Sequence, residues 1–172
     1  MLLKFVVVAF LLGETFCTSY CDDEDSIQKL GRVVFGEARG EPLEGQMIVA
    51  LTVVNRIKSN LYPNTLDGVL GATYAHGRHH EYNTLDDDNH TIAWNNAKRD
   101  DTIEYQQAIQ KARFVLCVPI TDPRFCFTAY CATYITHCSA LQDNKYSRVT
   151  SNVTIGGHTF VCRESTSQTT FG

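Results

Sequence analysis

Between Val33 and Lys58 the chain reads VVFGEARGEPLEGQMIVALTVVNRIK, and a carboxylate stands where the periodicity asks for a core residue. Ile27, Leu30, Val34 and Ala38, with Val33 beside them, form one face of a helix predicted from Asp25 to Ala38. Continued past Leu30 and Val34, that face reaches Glu37 in the last helical turn. Two effects then favour the neutral carboxyl. An apolar neighbour disfavours the anion, and so does the negative end of the helix dipole. A carboxyl kept protonated near neutral pH can serve as a general acid. A bland alternative is that Glu37 pairs with Arg39 or Arg56 and merely ties two helices, and pattern alone favours that structural role. Glu41 and Glu44 suit the start of the next helix and need no catalytic explanation.

The elements that must position Glu37 follow from the same periodicities. Ser26 or Asp25 can cap the first helix, Gly40 stops it, and Pro42 opens a second one running to about Ser59. That helix is apolar nearly all round, which predicts a buried central strut. YPNTLDGVLG reads as a turn and one short helix, and residues 72–101 as a long polar loop without lasting periodicity. A further helix is expected from Glu104 to Val118. After Pro119 the period becomes two, in FCFTAYC, TYITHC and SNVTIGGHTFVC, with Gly156-Gly157 marking a hairpin. The fold class expected is α+β, a helical lobe with a smaller disulfide-tied C-terminal β region.

Composition narrows the classes. Residues 1–19 carry one lysine, a short apolar run and then small residues, the pattern of a secretory signal peptide rather than of an anchor. Cleavage there leaves a domain over residues 20–163 and a loose tail over 164–172, with no membrane span, and a monomer is expected. Net charge is −4 without a basic stripe, which argues against nucleic acid. Apart from Cys17, six cysteines remain, an even set suited to disulfides in an exported chain, though spacing does not choose their pairing. The same set argues against a Cys–His protease. Sequons at Asn89 and Asn152 are compatible with a glycosylated surface. His76, His79, His80 and His90 lie near Asp86, Asp87 and Asp88 but match no standard ligand spacing, so neither a metal nor another cofactor is expected.

Several ordered boxes then resemble the catalytic domain of SleB-type spore cortex-lytic enzymes, a cell wall hydrolase family. They are Gly36 to Glu41, Gly45-Gln46, Asn55-Arg56, Tyr62 to Thr65 and the strand Ile155 to Phe160. The resemblance implies a lysozyme-like fold and lytic cleavage of the MurNAc–GlcNAc bond of peptidoglycan by a single glutamate, which maps onto Glu37. Beside it, Arg39 and Glu41 read as supporting residues, and Asn55 and Arg56, which close the buried helix, as supporting or capping groups, with Arg56 a candidate partner for Glu37. Glu81-Tyr82-Asn83 stands where the family carries a Gln-Phe-Ser-like segment, so Tyr82 is a candidate wall for a sugar ring and Asn83 a candidate contact. Tyr130, with Tyr134 on the same expected strand face, and His158 are further candidates for glycan contact, although packing or a hydrogen bond within the β region is the commoner fate of such residues. The His/Asp-rich loop and the cysteines lie outside the family pattern. The reading is a secreted peptidoglycan-cleaving enzyme, with a non-enzymatic glycan-binding or structural protein on the same scaffold as the alternative.

Overall fold

The computed structural model describes residues 20–74 and 77–166, so the expected signal segment, His76 and the end of the tail lie outside it. Helix α1, Glu24–Ala38, is capped by the Asp23 side chain, which accepts from the Asp25 N–H. Neither Ser26 nor Asp25 is the cap; the Ser26 hydroxyl instead donates to Asp23 at 2.5 Å. Helix α2, Leu43–Lys58, starts at Pro42 and is the buried strut its composition requires, packed against α1, helix α5 and strand β3, which are described below. Thr65 caps the short α3, Leu66–Leu70, by accepting from the Gly68 N–H.

The stretch expected to be one long loop is largely ordered. It holds a two-residue ladder, β1 (Thr73–Tyr74) with β2 (His79–His80), a 3-10 turn at Asn83–Leu85, and helix α4 at Asp88–Arg99. α4 escapes a periodicity search because only Trp94 and Ala97 of its residues are buried. Its anchor is aromatic instead: the Trp94 ring lies 5.5 Å from Phe35 and 5.0 Å from Tyr105. The aspartate triplet Asp86-Asp87-Asp88, within the expected polar loop, punctuates this segment. Asp86 accepts from the His80 backbone N–H at 2.7 Å, Asp87 caps α4, and Asp88 occupies its first turn, where the dipole favours an anion.

Helix α5, Ile103–Cys117, is capped by Thr102. The β region is one antiparallel sheet in the order β3 (Phe127–Ala132), β5 (His158–Ser165), β4 (Ser147–Ile155), with Gly156 at φ +57 in the β4–β5 turn. TYITHC is not a strand. β3 ends at Ala132, and the segment after it is a turn closed by the Cys131–Cys138 disulfide. β5 also runs through Ser165, so Glu164 and Ser165 belong to the sheet rather than to the tail.

Among the described residues the six cysteines all pair, as Cys21–Cys117, Cys126–Cys162 and Cys131–Cys138. The first staples the start of the helical lobe to the end of α5 across 96 residues. A loop of that length removes about 4 to 5 kcal/mol of denatured-state freedom in the chain-entropy account. The double variant Cys21→Ser/Cys117→Ser is expected to lose about 3 kcal/mol or more in urea unfolding, well beyond the loss from Cys131→Ser/Cys138→Ser, whose loop spans 7 residues.

Candidate active site

Glu37 lies in the last turn of α1, half-buried between the 3-10 turn on one side and β3 and β5 on the other. The Tyr130 hydroxyl, from β3, donates to Glu37 Oε2 at 3.2 Å. Burial pushes the Glu37 carboxyl above the ordinary glutamate range. The Thr84 backbone N–H, the Tyr130 hydroxyl, and His158 and His90 all favour the anion and reduce that effect without reversing it. Burial first, and the Glu37 charge second, drive the Tyr130 phenol well above its usual value, so it stays a neutral donor. The arrangement is a carboxyl whose protonated form is favoured by burial, with donors in place to stabilise it once its proton is gone.

Gly36 lets this site close. A Cβ at that position would collide with the Thr84 hydroxyl and methyl groups, so only glycine lets the 3-10 turn lie against α1 beside Glu37. Thr84 in turn shares a 3.2 Å contact with His90 Nδ1, which brings α4 into the wall. Neither Thr84 nor His90 was identified from sequence as part of the site, because no periodicity links a 3-10 turn to a helix 50 residues earlier. The glycine directly before Glu37 is the one signal that something had to approach closely there.

The supporting candidates divide by what they hold. Glu41 accepts from the Gly157 N–H at 2.7 Å and lies 3.5 Å from His158 Nδ1, so it clasps the β4–β5 turn to the α1–α2 connection. Gly156 and Gly157 leave room for its carboxylate. Asn55 donates to the Phe125 and Phe127 carbonyls at 2.6 and 2.9 Å, and Arg56 Nε to the Thr128 carbonyl at 2.7 Å, which fixes the β3 strand that delivers Tyr130. Glu37 is therefore met by the Tyr130 hydroxyl and the Thr84 N–H rather than by Arg56. Arg39 curls back to the Phe35 carbonyl at 3.3 Å, with its guanidinium over the Phe35 ring, and caps α1.

Two aromatic expectations change. Tyr82 is 2% exposed, packed under the Arg56 guanidinium, with burial pushing its phenol up to about 12, so it offers no face to a sugar ring. Its hydrophobic ring fills the core instead. Tyr134 lies beyond β3 in the disulfide turn, and is 85% exposed rather than aligned with Tyr130 on a strand face. Asn83 is exposed and accepts from the Tyr74 hydroxyl at 3.3 Å. His158 lies at the first residue of β5, its ring edge-on to Tyr130 at 5.3 Å, so it joins the surroundings of Glu37 and the β-region packing at once.

The sequence profile described as Cell Wall Hydrolase matches residues 40–161, well over half of the chain. The chain belongs to the cell wall hydrolase family. Glu37 lies three residues ahead of the matched segment. A stretch of 47 residues is 49% identical to the spore cortex-lytic enzyme of Oceanobacillus iheyensis, and covers 27% of this chain and 17% of that enzyme. A similar stretch of 46 residues is 48% identical to the Bacillus subtilis enzyme, over 27% of this chain and 15% of that one. The chain thus matches less than a fifth of these relatives' own length. The catalytic domain of Bacillus cereus SleB shares the fold, with a TM-score of 0.50 and 21% identity over 80% of this chain and 90% of that domain.

Two outcomes follow from the site's packing and charge. Gly36→Ala is expected to cost about 2 kcal/mol or more by the forced overlap, and Gly36→Ala/Thr84→Ala to recover part of it, read from urea unfolding of the single and double variants. Glu37, with its folded pKa raised, binds more protons in the folded than in the unfolded chain, so its contribution to stability falls as pH rises from the ordinary glutamate range. Glu37→Gln is therefore expected to melt above wild type at about pH 7, with the gap closing toward about pH 4. A gap independent of pH rejects the buried-acid description.

Proposed function

We propose that this protein is an exported enzyme that cleaves the glycan strands of peptidoglycan at the MurNAc–GlcNAc bond, with Glu37 acting first as acid and then as base. The observation that carries the reading is the half-buried Glu37 carboxyl, pushed toward its protonated form by desolvation and held by the Tyr130 hydroxyl. As acid it gives its proton to the leaving oxygen. The anion that remains is stabilised by the Thr84 N–H and the Tyr130 hydroxyl, and it then accepts a proton from the sugar's own C6 hydroxyl as that oxygen closes a 1,6-anhydro ring. A two-carboxylate hydrolysis needs a second, free carboxylate about 5 Å or more away to act as nucleophile or to activate water. Glu41, the other glutamate of the box, is engaged by Gly157 and His158, which supports the one-carboxylate route.

Export is supported by the leader pattern of residues 1–19 and by three disulfides, which persist in oxidising compartments. Asn152, on edge strand β4, and Asn89, at the start of α4, are both exposed and accessible to glycosylation. Among the described residues no helix is long and apolar enough to cross a membrane.

Purified protein incubated with peptidoglycan is expected to release anhydro-muropeptides detectable by mass spectrometry. Glu37→Gln should lower that release by about 10² to 10⁴, the usual worth of a general acid–base group. Tyr130→Phe should lower it about tenfold, the worth of one hydrogen bond to the reacting carboxyl. Equal release by the Glu37→Gln variant, or binding of the glycan with no release by wild type, would sink the enzymatic reading.

A further inference from the structure

The two glutamates of the Gly36–Glu41 box stand at opposite ends of one line of contacts. Glu41 Oε2 is held by the Gly157 N–H at 2.7 Å, and its Oε1 lies 3.5 Å from His158 Nδ1. The His158 ring meets the Tyr130 ring edge-on, at 5.3 Å and 89°. The Tyr130 hydroxyl completes the line by donating to Glu37 at 3.2 Å. Four elements contribute: the α1–α2 turn, β5, β3 and α1. We propose that Glu41 and His158 are positioning residues that orient the Tyr130 ring against Glu37 and, through the charge on His158, set the pH range in which Glu37 carries its proton.

The geometry favours this over a simple tie between hairpin and helix. A hydrogen bond from Gly157 alone would hold the turn, yet Glu41 also presents its second oxygen to a histidine. His158 Nδ1 is buried and, among the described residues, finds no hydrogen-bond partner, so the Glu41 carboxylate is the acceptor poised for a proton there. No proton passes between His158 and Tyr130, because their contact is ring edge to ring face. The coupling is steric, through the ring that aims the hydroxyl, and electrostatic, because a protonated His158 favours the Glu37 anion and a neutral one does not. The titratable groups facing His158 are Glu41 from the α1–α2 turn, Tyr130 from β3 and Glu37 from α1; His90, from α4, acts on Glu37 from the other side. Phe160, next along β5 on the same face, packs on both rings and supplies no charge.

This inference rests on Glu37 being the acid, and its test includes readouts that need no activity. In the full-length mature protein with ¹³C-labelled glutamate, the Glu37 carboxyl resonance, assigned with Glu37→Gln, is titrated in wild type and in His158→Gln. Removing the titrating ring is expected to raise the Glu37 midpoint by about half a unit or more. Glu41→Gln retains the acceptor for Gly157 but removes the charge facing His158, and is expected to move the Glu37 midpoint as well. If wild type cleaves peptidoglycan, His158→Gln should reduce kcat about tenfold with KM within about twofold, and should move the limb of the pH–rate profile that reports Glu37. Unchanged midpoints in both variants would overturn the proposal. So would a loss of thermal stability in His158→Gln with wild-type midpoints, which would make the pair a structural tie alone. Shifted midpoints in a protein that releases no muropeptides would uphold the pair while rejecting the catalytic reading.

Discussion

Desolvation of one carboxyl organises this molecule. Glu37 occupies a position on α1 that the helix's own repeat assigns to the core, and the fold covers it with a 3-10 turn, α4 and two strands. Burying an ionisable group costs free energy unless it is neutral or supplied with hydrogen bonds. Both answers are present: the site is dry enough to favour the protonated form, and two donors face the oxygens for the moment that the proton leaves. That position carries a local cost in stability, because a neutral side chain could occupy it without the desolvation of a charge.

The β region cannot contribute its tyrosine and histidine unless it is docked accurately on the helical lobe. Two polar ties do this from opposite ends of α2. Asn55 and Arg56 take up carbonyls at the start of β3, while Glu41 takes the backbone N–H of the β4–β5 turn. Groups that look from sequence like catalytic extras are therefore the joinery that places Tyr130 within hydrogen-bonding reach of Glu37. The Cys126–Cys162 disulfide, linking the start of β3 to β5, fixes the sheet internally.

Family membership and fold similarity agree with this architecture, but each covers a different part of it. The profile match starts just after Glu37, and the fold likeness to the SleB catalytic domain comes at low identity. The local chemistry connects them. The matched Glu41 and the Gly156–His158 turn lead through Tyr130 to the unmatched Glu37.

How much was legible beforehand depended on whether the signal was local. The stripe of α1, the all-apolar α2, the Gly156-Gly157 hairpin and an even cysteine set are written in composition and period, so the α+β layout and the odd position of Glu37 could be read directly. α4 could not, because it is held by one tryptophan between two distant aromatic rings rather than by an apolar stripe. Tyr82 read as a surface aromatic because nothing in EYN shows that Arg56 and the core will enclose it. The sequence by itself determined which residues carry charge and which faces seek the core. Only the tertiary structure decided that Glu37 meets Tyr130 instead of an arginine, that Thr84 and His90 close the other wall, and which cysteines pair. Desolvation and hydrogen bonding act between groups close in space, and the chain distances separating these residues carry no record of that closeness.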